Sequence, residues 1–245
     1  MITFINHLPA DSPAYLFLGL GFLSGGGTLL GAVLALCFPL RRAMPQLIGF
    51  AAGVMGGVVL LELIPTALSL GGITATLSGG LTGAALLFLF DLFLRHLVGQ
   101  TASYRRLGWL LFTGIALHDL PEGMAIGTGG AVTTEDGIFL AAALGAHNLP
   151  EGLVNAVPLR LGGLAAAKVL VLNGLLSLVT PAGTLLGLGM AHWKPRSIPF
   201  LLAVAAGAMS YIVLKELTPR MIKERGVAGF VPGILIIILL LWLIE

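Results

Sequence analysis

Long apolar stretches alternate with short polar or Gly/Pro-marked breaks along the whole chain, at about 14–38, 47–68, 79–98, 109–130, 138–158, 168–190, 198–219 and 229–244. A helix needs about 20 apolar residues to cross a hydrocarbon core roughly 30 Å thick, and each stretch is near that length. A helix also satisfies its own backbone hydrogen bonds where water is absent. The pattern therefore predicts an all-α polytopic membrane protein with eight transmembrane helices, read as a single domain over residues 1–245. The connections are short, so no soluble domain is inserted, and no Walker-type loop is present to couple the chain to ATP. The first apolar run is longer than a signal-peptide core and is preceded by no Lys or Arg, so it is expected to persist as a helix.

Composition agrees. The 245 residues are 57% hydrophobic and 10% charged, with a mean hydropathy of +1.02. Ordinary globular chains carry roughly 25% charged residues, so this one cannot build a water-facing surface. The net charge of +2 comes without a basic tract, and nucleic acid is not an expected partner. Cys37 is the sole cysteine, which rules out an intrachain disulfide or a thiolate metal cluster within one chain. The expected partner surface is a lipid bilayer.

Basic residues concentrate in cytoplasmic loops. Arg41, Arg42, Arg105, Arg106, Arg160, Lys168, Arg220, Lys223 and Arg225 lie in or beside the connections after stretches 1, 3, 5 and 7. Lys194 and Arg196 lie on the other side, with Glu135 and Asp136. Both termini are expected outside the cytoplasm.

Two internal similarities organise the chain. The run from Phe50 through Glu62 to Pro65 shares Ala-Ala-Gly, Met, Glu and Pro at equal offsets with the run from Val204 through Glu216 to Pro219. His118-Asp-Leu-Pro-Glu-Gly123 matches His147-Asn-Leu-Pro-Glu-Gly152 at all but one position. Each pair joins an even-numbered stretch to an odd-numbered one, the signature of inverted-topology repeats. Small residues shared by closely packed helices explain Ala-Ala-Gly but not Glu and Pro at the same offsets.

The chemistry sits in stretches 4 and 5. His118 and Glu122 are one helical turn apart, as are His147 and Glu151, so each imidazole shares a helix face with a carboxylate. Opposed, these faces present two nitrogens and four carboxylate oxygens, a donor set suited to Zn²⁺, Fe²⁺ or Mn²⁺ rather than to Ca²⁺ or Mg²⁺. Asp119 and Asn148 can add oxygen ligands. Pro121 and Pro150 lack an N–H and are expected to kink their helices and free the carbonyls of Leu117 and Ala146. The expected metal-binding set is His118, Asp119, Glu122, His147, Asn148 and Glu151. Ionisable groups at the bilayer centre are costly and mark a pathway or site more often than a simple interhelical hydrogen bond.

Other polar residues read differently. Glu62 and Glu216 suit either an ion route or local satisfaction near a helix end. Asp91 and Arg95, four apart, read as an intrahelical pair. His7, His96 and His192 lie near the ends of stretches or in loops, where a solvated imidazole is the simpler reading. Gly27/Gly31, Gly53/Gly57 and Gly183/Gly187 indicate close helix packing.

With Phe50-Ala-Ala-Gly-Val-Met, Ala205-Ala-Gly-Ala-Met and the twin His-x-x-Pro-Glu-Gly motifs, the chain resembles the Zrt/Irt-like (ZIP) metal transporters of bacterial type over nearly its whole length. The resemblance implies a 3+2+3 helix arrangement and import of zinc, iron, manganese, cobalt or cadmium into the cytoplasm as cargo, with no cofactor. It also implies a homodimer, residence in a bacterial inner membrane, and an elevator-like movement of stretches 1, 4, 5 and 6 against the rest. By position, His118, Glu122, His147 and Glu151 resemble one metal site; Asp119, Glu122, Asn148 and Glu151 resemble a second, with both glutamates bridging. Two departures stand out. The His-rich loop of many relatives is reduced to about Gly99–Leu107, and Thr180 precedes Pro181 where relatives often place Glu. The competing reading is an intramembrane metal-dependent hydrolase, but His-Glu-x-x-His is missing and no stretch offers an evident additional base or oxyanion donor set.

Overall fold

The computed structural model of the protein describes residues 14–37, 40–98, 104–127, 134–190 and 198–244. Its helices are α1 (Ala14–Leu36), α2 (Leu40–Val58), α3 (Ile64–Val98), α4 (Tyr104–Gly127), α5 (Thr134–Leu161), α6 (Ala166–Ser177), α7 (Val179–Met190), α8 (Ile198–Ile212), α9 (Thr218–Lys223) and α10 (Val227–Ile244). A π-helical segment, Val59–Leu63, joins α2 to α3, and another, Val213–Leu217, joins α8 to α9. There is no strand among the described residues.

Among the described residues, four helical stretches are long and apolar enough to cross a membrane: Tyr15–Leu36, Ala43–Leu97, Ala166–Gly189 and Pro199–Lys223, with Val227–Trp242 a shorter apolar helix. α4 carries Arg105, Arg106, His118, Asp119 and Glu122 and stands outside that set. The 55 residues of Ala43–Leu97 would extend roughly 80 Å if straight, more than twice a hydrocarbon core. They are not straight. Gly72 breaks α3 with φ 70° and ψ 178°, in a region that side chains disfavour and glycine adopts readily.

The two π segments fall at matched places in the internal repeat, with Glu62 and Glu216 each the fourth residue. A proline follows each within two or three residues, at Pro65 and Pro219. The pyrrolidine ring removes an N–H and collides with the carbonyl of the preceding turn, and a wider turn just ahead of it relieves that collision. At Pro121 and Pro150, where the sequence predicts kinks, no break interrupts the helix. α4 and α5 stay α-helical through both prolines. Within the other apolar stretches of the described residues, departures from α geometry include Gly72, the two π segments and the turn at Leu178 between α6 and α7.

Packing divides the helices into two bundles. α1 packs on α5, α6 and α7, and α4 packs on α7 and α5. Separately, α2 packs on α10 and α3 on α8. Glycine permits the closest of these approaches: a side chain at Gly27 or Gly31 would collide with the Gly145 or Leu149 carbonyl, at Gly53 with that of Phe230, and at Gly183 or Gly187 with that of Leu120 or Met124. The bundles meet where α4 lies against α8 and α2 against α5, across fully buried Met55, Leu110, Leu111, Met209, Ile212 and Leu217. Outside, Leu81, Leu214 and Trp242 are 72%, 72% and 70% exposed, and the apolar surface they belong to would drive aggregation in water but suits lipid.

Candidate metal centre

α4 and α5 bring the motif residues to one place in the first bundle. His118, Asp119 and Glu122 are all buried and can each offer one ligand atom, with these atoms within 4.8 Å of one another. His118 Nε2 lies 3.3 Å from Glu122 Oε1 on its own helix and 3.9 Å from Glu151 Oε1 on α5. One imidazole nitrogen thus faces both motif glutamates. Asn148, also fully buried, donates Nδ2 to the carbonyl and the hydroxyl of Ser24 on α1, each at 3.2 Å. That leaves Asn148 Oδ1 without a hydrogen-bond partner among the described residues, and both Asp119 oxygens share that condition. A buried acceptor left unmatched costs about 1–3 kcal/mol, more for a charged one, unless something binds it. His147 is on α5 beside Asn148, but its side chain lies outside the described residues.

Several contributors were not predicted as part of the site. Ser24 and Thr28, one turn apart on α1, are buried beside α5: Ser24 holds the Asn148 amide, and the Thr28 carbonyl lies where a side chain at Gly152 would go. Thr180 of α7 stands in the same relation to Gly123 of α4, and the hydroxyls of both threonines lack hydrogen-bond partners among the described residues. The last glycine of each motif therefore lets a neighbouring helix close against the turn that carries the glutamate. Glu62, also buried, is near enough to His118, Glu122 and Glu151 for their charges to act on it. Asp119, Glu122 and Glu151 thus place three carboxyl groups in surroundings of low dielectric, with Glu62 within electrostatic reach, where a dication offsets charge far more effectively than it would in water.

Glu216 parts company with Glu62. It binds Arg106, which also binds Asp91, so Asp91 and Arg95 are not the isolated intrahelical pair their spacing suggests. Nor is Arg106 a solvated loop residue: it is 4% exposed, inside α4. His96 is exposed in the last turn of α3, as expected, while His7 and His192 lie outside the described residues.

A family model described as "ZIP Zinc transporter" matches residues 98–241, more than half of the chain and both His-x-x-Pro-Glu-Gly motifs. The chain belongs to the ZIP family. Among curated relatives of this ZIP protein, the zinc transporter GufA of Myxococcus xanthus is 33% identical over 119 residues, 48% of this chain and 46% of GufA. The zinc transporter ZIP4 of Homo sapiens is 31% identical over 121 residues, 49% of this chain and 18% of ZIP4. The zinc transporter ZIP10 of Danio rerio is 26% identical over 123 residues, 50% of this chain and 14% of ZIP10. The ZIP chain thus matches less than half the length of each of these relatives.

Proposed function

We propose that this ZIP protein carries divalent transition-metal ions across a membrane, loading them in the pocket between α4 and α5. The observation that carries this reading is the buried convergence of His118, Asp119, Glu122, Asn148 and Glu151, in which the Asp119 and Asn148 oxygens have no protein hydrogen-bond partner among the described residues. Such donors in low dielectric call for a cation, and their nitrogen and oxygen mix favours zinc, iron, manganese, cobalt or cadmium. The names of the relatives support zinc first. With His147 contributing its imidazole, Glu122 and Glu151 would bridge two ions.

The chain crosses the bilayer eight times in a 3+2+3 order, with Gly72 dividing Ala43–Leu97 into two crossings. The placement of basic residues puts both termini outside the cytoplasm, and the direction of transport is import across a bacterial inner membrane, by a homodimer whose α1 and α4–α7 bundle moves against the other. No specific observation favours the hydrolase.

The deciding experiment is uptake of each of the five metals by purified protein in proteoliposomes. Saturable uptake led by zinc and abolished by Glu122→Ala is expected. Uptake no faster than in empty liposomes, with any metal and at either sign of pH gradient, overturns the proposal.

A further inference from the structure

Away from the metal pocket the protein buries a second set of charges. Arg106 of α4 donates Nη1 to Asp91 Oδ1 of α3, and Nη2 to Glu216 Oε1 of the Val213–Leu217 segment at 2.7 Å. Arg95 donates Nε and Nη2 to Asp91 Oδ2 at 2.9 and 2.7 Å, and the Tyr211 hydroxyl donates to the same oxygen at 2.9 Å. Arg220 Nε lies 3.6 Å from Glu216 Oε2, and its guanidinium sits 5.7 Å above the Tyr104 ring. Asp91 and Glu216 are 1% and 5% exposed.

Stability alone does not account for such a cluster. Well-packed apolar residues of similar volume hold a core as well as a buried ion pair, or better. Its position is more telling. Arg106 belongs to the bundle that carries the metal pocket, whereas Asp91, Tyr211 and Glu216 belong to the other. Nearby, that boundary has an apolar stretch, with Met44, Ile48, Leu107, Leu111 and Leu217 around one small cavity. Apolar contact is non-directional and tolerates sliding. A guanidinium gripping two carboxylates is directional, and it breaks when the helices shift by a few ångströms. Arg106 also lies twelve residues before His118 on the same helix, about 18 Å along its axis. Where Arg106 is held, the height of the pocket is set.

We propose that Arg106, gripped by Asp91 and Glu216, latches the pocket-bearing bundle to the other bundle in the conformation seen here, and that this latch opens when the bundles move. The proposal goes beyond the transport reading, and its primary test uses no metal.

The exposed Cys37 is first replaced by Ser, and Leu111→Cys, 1% exposed at the bundle boundary, then serves as a thiol probe in proteoliposomes. Leu176→Cys, fully buried within the first bundle, serves as the control probe. Arg106→Gln is expected to raise maleimide labelling at Leu111→Cys about tenfold and to leave Leu176→Cys unchanged. Arg106→Lys should fall between, and Arg95→Gln, which removes the bonds to Asp91 and a 3.9 Å contact with Glu216 but nothing that joins the two bundles, should match the parent. Unchanged labelling at Leu111→Cys overturns the latch; so does an equal rise at both probes, which signals general loosening. If Arg106→Gln does not accumulate, Glu216→Gln removes the charge of one of the two carboxylates that grip Arg106, and the same comparison should give a smaller rise confined to Leu111→Cys; no rise there overturns the latch too.

Discussion

The twin motifs end in glycines whose role the packing makes quantitative. A Cβ at Gly123 would overlap the Thr180 carbonyl oxygen and lie 2.9 Å from both the Thr180 carbonyl carbon and the Thr184 nitrogen. Ordinary van der Waals contact begins near 3.4 Å, so Gly123→Ala must push α7 from α4 by at least an ångström along a backbone contact that has no flexible side chain to yield. Overpacking of this kind costs about 1–3 kcal/mol. Helix propensity works the other way by up to about 1 kcal/mol. The steric cost should win, lowering Tm by roughly 5 °C in a chain of this size. Because Glu122 precedes Gly123 directly, the same displacement moves a proposed ligand, and zinc affinity should fall about tenfold or more. Gly26→Ala is the internal control: it also lies within a helix, but nothing stands within 4 Å of its Cβ position, so it should be neutral or slightly stabilising. Thermal unfolding in detergent, together with zinc titration against a competing chelator, reads both quantities. A Gly123→Ala protein that melts and binds zinc like Gly26→Ala would refute the close-approach argument.

Glu122→Ala or Glu151→Ala should abolish zinc uptake while the protein still reaches the membrane, because each removes a buried carboxylate that compensates a dication; normal uptake at normal expression by either variant removes it from the site. Metal binding should weaken as pH falls and should release protons, since ligating imidazole and carboxylate must be deprotonated; equilibrium affinity that stays flat from mildly alkaline to mildly acidic solution speaks against His118 and His147 as ligands. Asp119 and Thr180 should behave as an exchange of charge, the acid at Asp119 standing in for the Glu that the family resemblance places before Pro181. Asp119→Asn should weaken binding, and adding Thr180→Glu should restore part of the loss; strictly additive effects across the double-mutant cycle exclude the exchange.

The helical, membrane-spanning character, the motif pairing and the family were legible in the linear order of residues, because each depends on local spacing. A run of some twenty apolar residues has one low-energy form in lipid, and His and Glu four apart share a helix face wherever that helix goes. The repeat pairing Glu62 with Glu216 was equally visible, and so was its proline context. The different surroundings of those two glutamates were not. Glu62 reaches the charges of the metal pocket, whereas Glu216 meets Arg106 from a helix 110 residues distant in sequence. Spacing likewise suggested Asp91 with Arg95 and left Arg106 in a loop, since a sequence rule weighs charge near the end of a span without knowing which helix crosses there. Ser24 and Thr28 carried no signal of their own, because α1 brings them to the pocket through close helix approaches, its glycine contacts with α5 among them. Short-range periodicity decided which residues share a face; the close approach of helices, which follows from side chains absent at glycine, decided what each face meets.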